Sequence, residues 1–328
     1  MAHIKQLRAI TDEFTMDKEL GRGTYGTVHL CSRSADPKAR DLVIKIIDVT
    51  KSSRKNIADY IKEAKLLQMF DHPNIVKFVD YFSTPDTLCI VQEFCNANDL
   101  AHEVKVMRKN KTLFREDVIW TWFLQLSCAV KHIHDRKILH RDIKTANIFM
   151  HQRDAGGWPI VKLGDFGISK ALEQTHALAK STVGTPYYMS PELCDNKPYS
   201  FKSDVWAIGV VLYELATLKQ PFDSHNFNGL VLKILKGRYH SPPESYSRDL
   251  HQMIRCLLSN DEGKRPDMTE VLKMPVCKDK IFKSGIAVDV LQREFAHTVL
   301  HGFKPCDMLS KPTDGKKSPG LFTYTDSN

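Results

Sequence analysis

Four polar residues stand inside runs that are otherwise apolar. Asp142 and Asn147 lie five apart in HRDIKTAN (140–147), with CAVKHIH just before the segment and IFM just after it. Asp165 follows 18 residues later in LGDFGISK, and Lys45 sits upstream in LVIKII. An acid directed to solvent from between buried segments reads as a catalytic loop. Two carboxylates, an amide and an ammonium suit phosphoryl transfer from a magnesium nucleotide, where a protein mainly positions groups and neutralises charge.

The surrounding elements must hold these groups in place. Residues 14–49 alternate apolar and polar with Gly, Asp and Pro interruptions, the pattern of strands joined by tight turns. Gly21, Gly23 and Gly26 fall in the first turn, between two strands rather than before a helix, which argues against a dinucleotide fold. Lys45 lies in a β-branched strand, where an ammonium needs a partner because an isolated charge in an apolar site is strongly disfavoured. NIADYIKEAKLLQMF reads as a helix with Ile57, Ile61, Ala64 and Leu67 on one face, stopped by HPN at 72–74. Strands are expected over 75–82 and 87–94. A core helix is expected over 117–135, where Val118, Trp122, Leu126, Ala129, Val130 and Ile133 recur on a face. His132 and His134, two apart, point to different faces and make no metal site. MHQRDAGGWPI (150–160) reads as an extended surface turn. SDVWAIGVVLYELATL is apolar nearly all round and must be buried centrally; further helices are expected near 225–236, 247–258 and 268–273.

The 328 residues suffice for two domains and a substantial core. With 42% apolar and 26% charged residues the composition is that of an ordinary globular enzyme. The net charge of +8 is spread out with no long basic block, so it reads as a solvated surface and not as a nucleic-acid footprint. The eight cysteines include no CxxC pair and several lie in apolar runs, which points to reduced thiols and a cytoplasmic setting. The first residues lack the apolar core of a signal peptide, and no run has the roughly 18 apolar residues of a membrane span.

The order GRGTYGTV (21–28), LVIK ending at Lys45, HRDIKTAN, DFG (165–167) and SPE (190–192) resembles the protein-kinase signature set over roughly residues 14–282. HRDIKTANIF, KLGDFGISK and GTPYYMSPE are most similar to the NIMA-related (NEK) serine/threonine kinases. The resemblance implies an α+β fold of two lobes, a small β-rich one and a larger helical one, with ATP between them. It implies that Gly21, Gly23, Gly26 and Val28 cover the nucleotide with Tyr25 at the loop tip, and that Lys45 pairs with Glu63 to align the phosphates. Gln92 takes the gatekeeper position, the backbone of Glu93, Phe94 and Cys95 meets adenine, Asp99 is a candidate for the ribose and Phe149 forms the floor. Asp142 takes or orients the proton of the substrate hydroxyl, and Lys144 contacts the transferred phosphate, as in serine/threonine kinases. Asn147 and Asp165 hold Mg2+. His140 is expected to pack on Phe166.

Residues 168–182 then form the activation segment, with Ser181 or Thr182 as phosphosite and Arg141 with Lys170 to receive the phosphate. Thr185 would reach Asp142 and Lys144. Glu192 would pair with Arg265 in a buried ion pair, and Asp204 would cap the catalytic loop. The expected organisation is an N-terminal extension over 1–13, a kinase domain over 14–282 and a C-terminal extension over 283–328. In that extension Val288, Leu291, Phe295 and Val299 are spaced along a helix expected to dock on the domain rather than bind a partner, ahead of a disordered tail. The expected activity is transfer of the ATP γ-phosphate to protein serine or threonine, after activation by an upstream kinase or autophosphorylation. The setting implied is cytoplasmic with a cytoskeletal association, and no membrane or nucleic-acid partner. Ala146, where basophilic kinases carry Glu, disfavours a strong preference for upstream arginine. The rival reading is a catalytically silent scaffold with this fold, which loss of Lys45, Asp142, Asn147 or Asp165 would have favoured.

Overall fold

The computed structural model describes residues 13–23, 26–35, 41–50, 67–84, 86–152, 159–166 and 186–283. Glu63, Tyr25, Lys170, Ser181, Thr182, Thr185 and the whole of 284–328 lie outside the described residues, so the expectations placed on them have no structural counterpart here. The chain divides into two compact units, one drawn from residues up to 96 together with 164–166, the other from 97–163 and 186–283.

The first unit is an antiparallel sheet of five strands: β1 (Phe14–Gly23), β2 (Gly26–Arg33), β3 (Leu42–Asp48), β4 (Phe78–Ser83) and β5 (Thr87–Glu93), in the order β1-β2-β3-β5-β4. Alternation puts Leu42 and Ile44 of β3 into one core with Phe14, Cys31, Cys89 and Val91, and Phe14 meets Phe82 edge-on at 5.6 Å. Lys45 is one step out of phase with that core. It is directly opposite Val28 on β2 and Ile90 on β5, so the register fixes the face on which its side chain emerges. Gly26 begins β2 opposite Ile47 with φ 153°, and a Cβ there would fall 1.7 Å from the Ile46 carbonyl oxygen. Close backbone packing therefore demands glycine at this point.

The second unit is helical. Its helices are α1 (Leu100–Asn110), α2 (Glu116–Asp135), α3 (Pro191–Cys194), α4 (Phe201–Thr217), α5 (Phe227–Lys236), α6 (Arg248–Leu257), α7 (Met268–Lys273) and α8 (Pro275–Lys283). A hairpin of β6 (Ile148–His151) and β7 (Ile160–Leu163) completes it. The twenty-residue α2 and the apolar α4 are its spine; from Ser203 to Ala216 every residue of α4 is buried. Ser200 starts α4 through a reciprocal capping box with Ser203, and Leu218 ends it in the left-handed region at φ 59°. Asp99, a candidate for ribose contact on resemblance, caps α1: its Oδ1 accepts from the His102 N–H at 2.8 Å, satisfying one donor that the helix cannot pair internally.

Candidate active site

Within the sheet unit, the Lys45 ammonium lies 2.9 Å from Asp165 Oδ1, joining two residues 120 apart in sequence. Both side chains are about one-third exposed, at 34% and 36%. Asp165 has φ 49°, a left-handed conformation that a short polar side chain tolerates, and the next residue, Phe166, stacks on Phe70 with centroids 5.1 Å apart. The stacked ring anchors the backbone that presents the Asp165 carboxylate. Glu63 being outside the described residues, the acidic partner seen for Lys45 is Asp165.

The hinge strand β5 ends at Glu93. Its N–H donates to the Lys77 carbonyl at 2.9 Å and that of Phe94 to the Asp41 carbonyl at 2.6 Å. Two of the three hinge N–H groups are thus committed inside the unit, which is compatible with adenine contacts through other backbone groups of the hinge. The Glu93 side chain also accepts from the Lys77 N–H at 2.6 Å, pinning the strand end. Gln92 is half-buried, opposite Val43 and Phe78.

In the helical unit, Asp142 stands at the centre of the catalytic loop. Lys144 Nζ donates to its Oδ2 at 2.9 Å. Asn147 Nδ2 donates to the same oxygen at 2.9 Å and to the Asp142 carbonyl at 2.8 Å. With its nitrogen spent in this way, the Asn147 amide offers its oxygen as the remaining polar atom. Thr145–Asn147 forms a 3-10 turn, which brings Asn147 back to Asp142. Phe149 follows on β6 and is bridged to Asp99.

Beneath the loop is Asp204, fully buried at the start of α4. It accepts from the His140 N–H at 2.9 Å, the Arg141 N–H at 3.1 Å and the Tyr199 hydroxyl at 2.5 Å, and it lies 2.8 Å from His134 Nε2. Burial pushes this carboxyl up, but the bonds and charges of His134, His140 and Tyr199 outweigh it and hold the group below its ordinary value. It is thus an anionic anchor for two successive loop N–H groups, the second of which belongs to Arg141 at φ 69°.

Glu192 and Arg265 form a bidentate pair at 2.9 and 3.1 Å with side chains 3% and 0% exposed. Ser203 donates to Glu192 Oε1 at 2.6 Å. Tyr188, Thr145 and Glu214 make a further cluster described below.

Sequence reading missed Tyr199 and Tyr188 and set His134 aside as a core residue. Nothing in their spacing signals the carboxylates they meet, because each contact spans separate elements.

Taken each within its own unit, the Asp165 carboxylate and the Asn147 amide oxygen are hard donors of the kind a divalent cation takes. Among the described residues no cluster of His, Cys, Asp and Glu forms a self-contained metal site.

A protein kinase domain model matches residues 14–277. The chain is 41% identical to serine/threonine-protein kinase Nek5 of Homo sapiens over 289 residues, which is 88% of this chain and 40% of that protein. It is 38% identical to serine/threonine-protein kinase Nek1 of Mus musculus, over 93% of this chain and 24% of the relative. It is 42% identical to the probable serine/threonine-protein kinase nek3 of Dictyostelium discoideum, over 80% of this chain and 23% of the relative. The chain thus spans less than half the length of these relatives. Its five-stranded antiparallel unit followed by a helical unit is the α+β organisation of that fold. The chain belongs to the protein kinase family and, within it, is NEK-like.

Proposed function

We propose that this chain transfers the γ-phosphate of ATP to serine or threonine hydroxyls of proteins, with Mg2+ as the metal. The observation that carries the reading is the set of bonds at Asp142, whose carboxylate is held by both Lys144 and Asn147. A carboxylate fixed by two donors from its own loop is oriented before any substrate arrives, which is how positioned groups lower a barrier. Asp142 takes the proton from the attacking hydroxyl. Lys144, 2.9 Å from it, is placed to neutralise charge on the group being transferred and favours serine or threonine as acceptor. Lys45 aligns the nucleotide phosphates, and Gly21, where an added Cβ would meet nothing within 4 Å, leaves room for them against the backbone. Mg2+ would be held by Asp165 and Asn147, and it would supply charge neutralisation on the phosphate oxygens.

The same reading places activating phosphorylation at Ser181 or Thr182, by this enzyme or an upstream kinase. It places the protein in the cytoplasm with a cytoskeletal association, and it makes the 14–282 segment the catalytic domain. The motif order and the NEK-like sequence support this reading. Among the described residues, no helix is long and apolar enough to cross a membrane.

The test is incorporation of labelled phosphate into casein and into the protein itself, comparing wild type with Asp142→Ala at equal concentration. Incorporation lost in the variant supports the reading. Equal background from both, with wild type folded and phosphorylated at Ser181 or Thr182, supports the silent scaffold instead.

A further inference from the structure

Thr145 lies between the two residues that hold Asp142: Lys144 precedes it and Asn147 closes the turn that it begins. Its side chain is buried. The Thr145 hydroxyl is 3.0 Å from the Tyr188 hydroxyl, and the Thr145 N–H also points there at 3.4 Å. The Tyr188 hydroxyl donates to Glu214 Oε2 at 2.5 Å, and Gln220 Nε2 approaches the phenolic oxygen at 3.5 Å. Glu214 is buried on the central helix α4, and its partners among the described residues are the hydroxyls of Tyr188 and Thr145 rather than a cation.

The proton count fixes who donates to whom. The phenol has one proton, and Glu214, as a carboxylate, can only accept. The phenolic oxygen therefore accepts from the Thr145 N–H and Gln220 Nε2, while the one Thr145 hydroxyl proton is shared between that oxygen and Glu214 Oε2, 3.3 Å away. Burial, and then the Glu214 charge, push the phenol well above its ordinary value, so it stays a neutral donor throughout the working pH range. A buried carboxylate with neutral donors alone loses heavily if one of them turns away, which holds the ring in a single place. We propose that the Tyr188 hydroxyl is a positioning group for phosphoryl transfer: anchored on Glu214, it fixes the first residue of the turn whose flanking residues orient Asp142. The proposal rests on the kinase reading above. Tyr188 touches none of the three polar atoms of the loop directly; it acts through Thr145.

Steady-state kinetics of the full chain, with ATP and casein as probe substrates, test it on Tyr188→Phe, Thr145→Val, the double variant and Thr145→Ser. Both single changes are expected to lower kcat about tenfold with KM for ATP unchanged, since small displacements of reacting groups cost rate steeply. The double variant should be no slower than the slower single one, because the two hydroxyls act in series. Thr145→Ser, which keeps the hydroxyl, should restore most of the rate. Wild-type kcat in Tyr188→Phe, losses that multiply in the double variant, or a loss seen only in KM would each overturn the proposal. Should Tyr188→Phe fail to fold, Thr145→Val against Thr145→Ser decides: equal rates overturn it. A wild type no more active than Asp142→Ala would instead defeat the kinase reading itself.

Discussion

Two of the ion pairs among the described residues share a length of 2.9 Å but have opposite surroundings. Arg265 and Glu192, in the helical unit, are sealed from solvent, whereas Lys45 and Asp165, in the sheet unit, each keep about a third of their side-chain surface exposed. The Arg265 guanidinium makes five hydrogen bonds, to both Glu192 oxygens, the Lys202 carbonyl and, twice, the Ser259 carbonyl, and it lies over the Trp206 ring at 5.1 Å. Among the described residues, Lys45 makes a single hydrogen bond, to one carboxylate oxygen. A saturated, dry pair cannot exchange partners without leaving a bare charge, so it serves as a fixed strut. A solvated pair with one bond can open at little cost, and both of its members are then available to phosphate oxygens and a metal. Length alone does not separate structure from chemistry here; burial and the number of bonds do.

If that contrast is sound, the largest loss of stability follows from breaking the strut. Arg265→Ala should cost about 3–5 kcal/mol, because Glu192 is left buried without its cation. A urea titration checks this, and a loss under about 1 kcal/mol would break the comparison. Acid should act on the same pair. Burial pushes the Glu192 carboxyl up, but hydrogen bonds from Arg265 and Ser203 outweigh it and leave the group below its ordinary value of 4.5. A carboxyl lowered by folding contributes stability that is complete above its unfolded value and is lost as pH falls through the folded one. Wild type should accordingly lose stability as pH drops below about 4.5, and Glu192→Gln should show a shallower acid limb in melts taken across that range.

A smaller effect separates two glycines of the sheet unit. Gly26→Ala forces a Cβ against the Ile46 carbonyl at 1.7 Å and should cost about 1–3 kcal/mol by thermal melting. Gly21→Ala meets open space and should leave the melting temperature unchanged within error. A weaker affinity for ATP in Gly21→Ala at unchanged stability would mark Gly21 as a position that serves the ligand, while Gly26 serves the sheet.

Periodicity made most of the helical unit legible. The expected helix at 117–135 is observed as Glu116–Asp135, and the all-round apolar stretch after Ser203 is the buried spine α4. The expected helices near 225–236, 247–258 and 268–273 appear as Phe227–Lys236, Arg248–Leu257 and Met268–Lys273. Local sequence carries such elements because each turn repeats its own apolar face. Motif order likewise singled out Lys45, Asp142, Asn147 and Asp165. What it did not carry were the contacts between distant segments. His134 meets Asp204 across 70 residues, and Tyr188 meets Glu214 across 26, and neither separation has a period to read. The capping role of Asp99 was not legible, because a carboxylate before a helix serves a cap as readily as a ligand; the helical start at Leu100 shows the cap.

The smallest expected change in stability belongs to Lys45, and it is the sharpest test of the contrast. Lys45→Met removes a pair that is one-third exposed on each side, so the melting temperature should move by no more than about 1 kcal/mol implies. The methylenes of the new side chain still cover the sheet between Val28 and Ile90, which keeps the strand register intact. Phosphate incorporation should nonetheless fall about 100-fold or more, because the ammonium that neutralises phosphate charge is gone. Unfolding that tracks the loss of activity would show that Lys45 is a strut like Arg265, and the two pairs would no longer differ in kind. Lost activity with an unchanged melt would fix Lys45 as a group kept for its ligand, which the sheet tolerates but does not need.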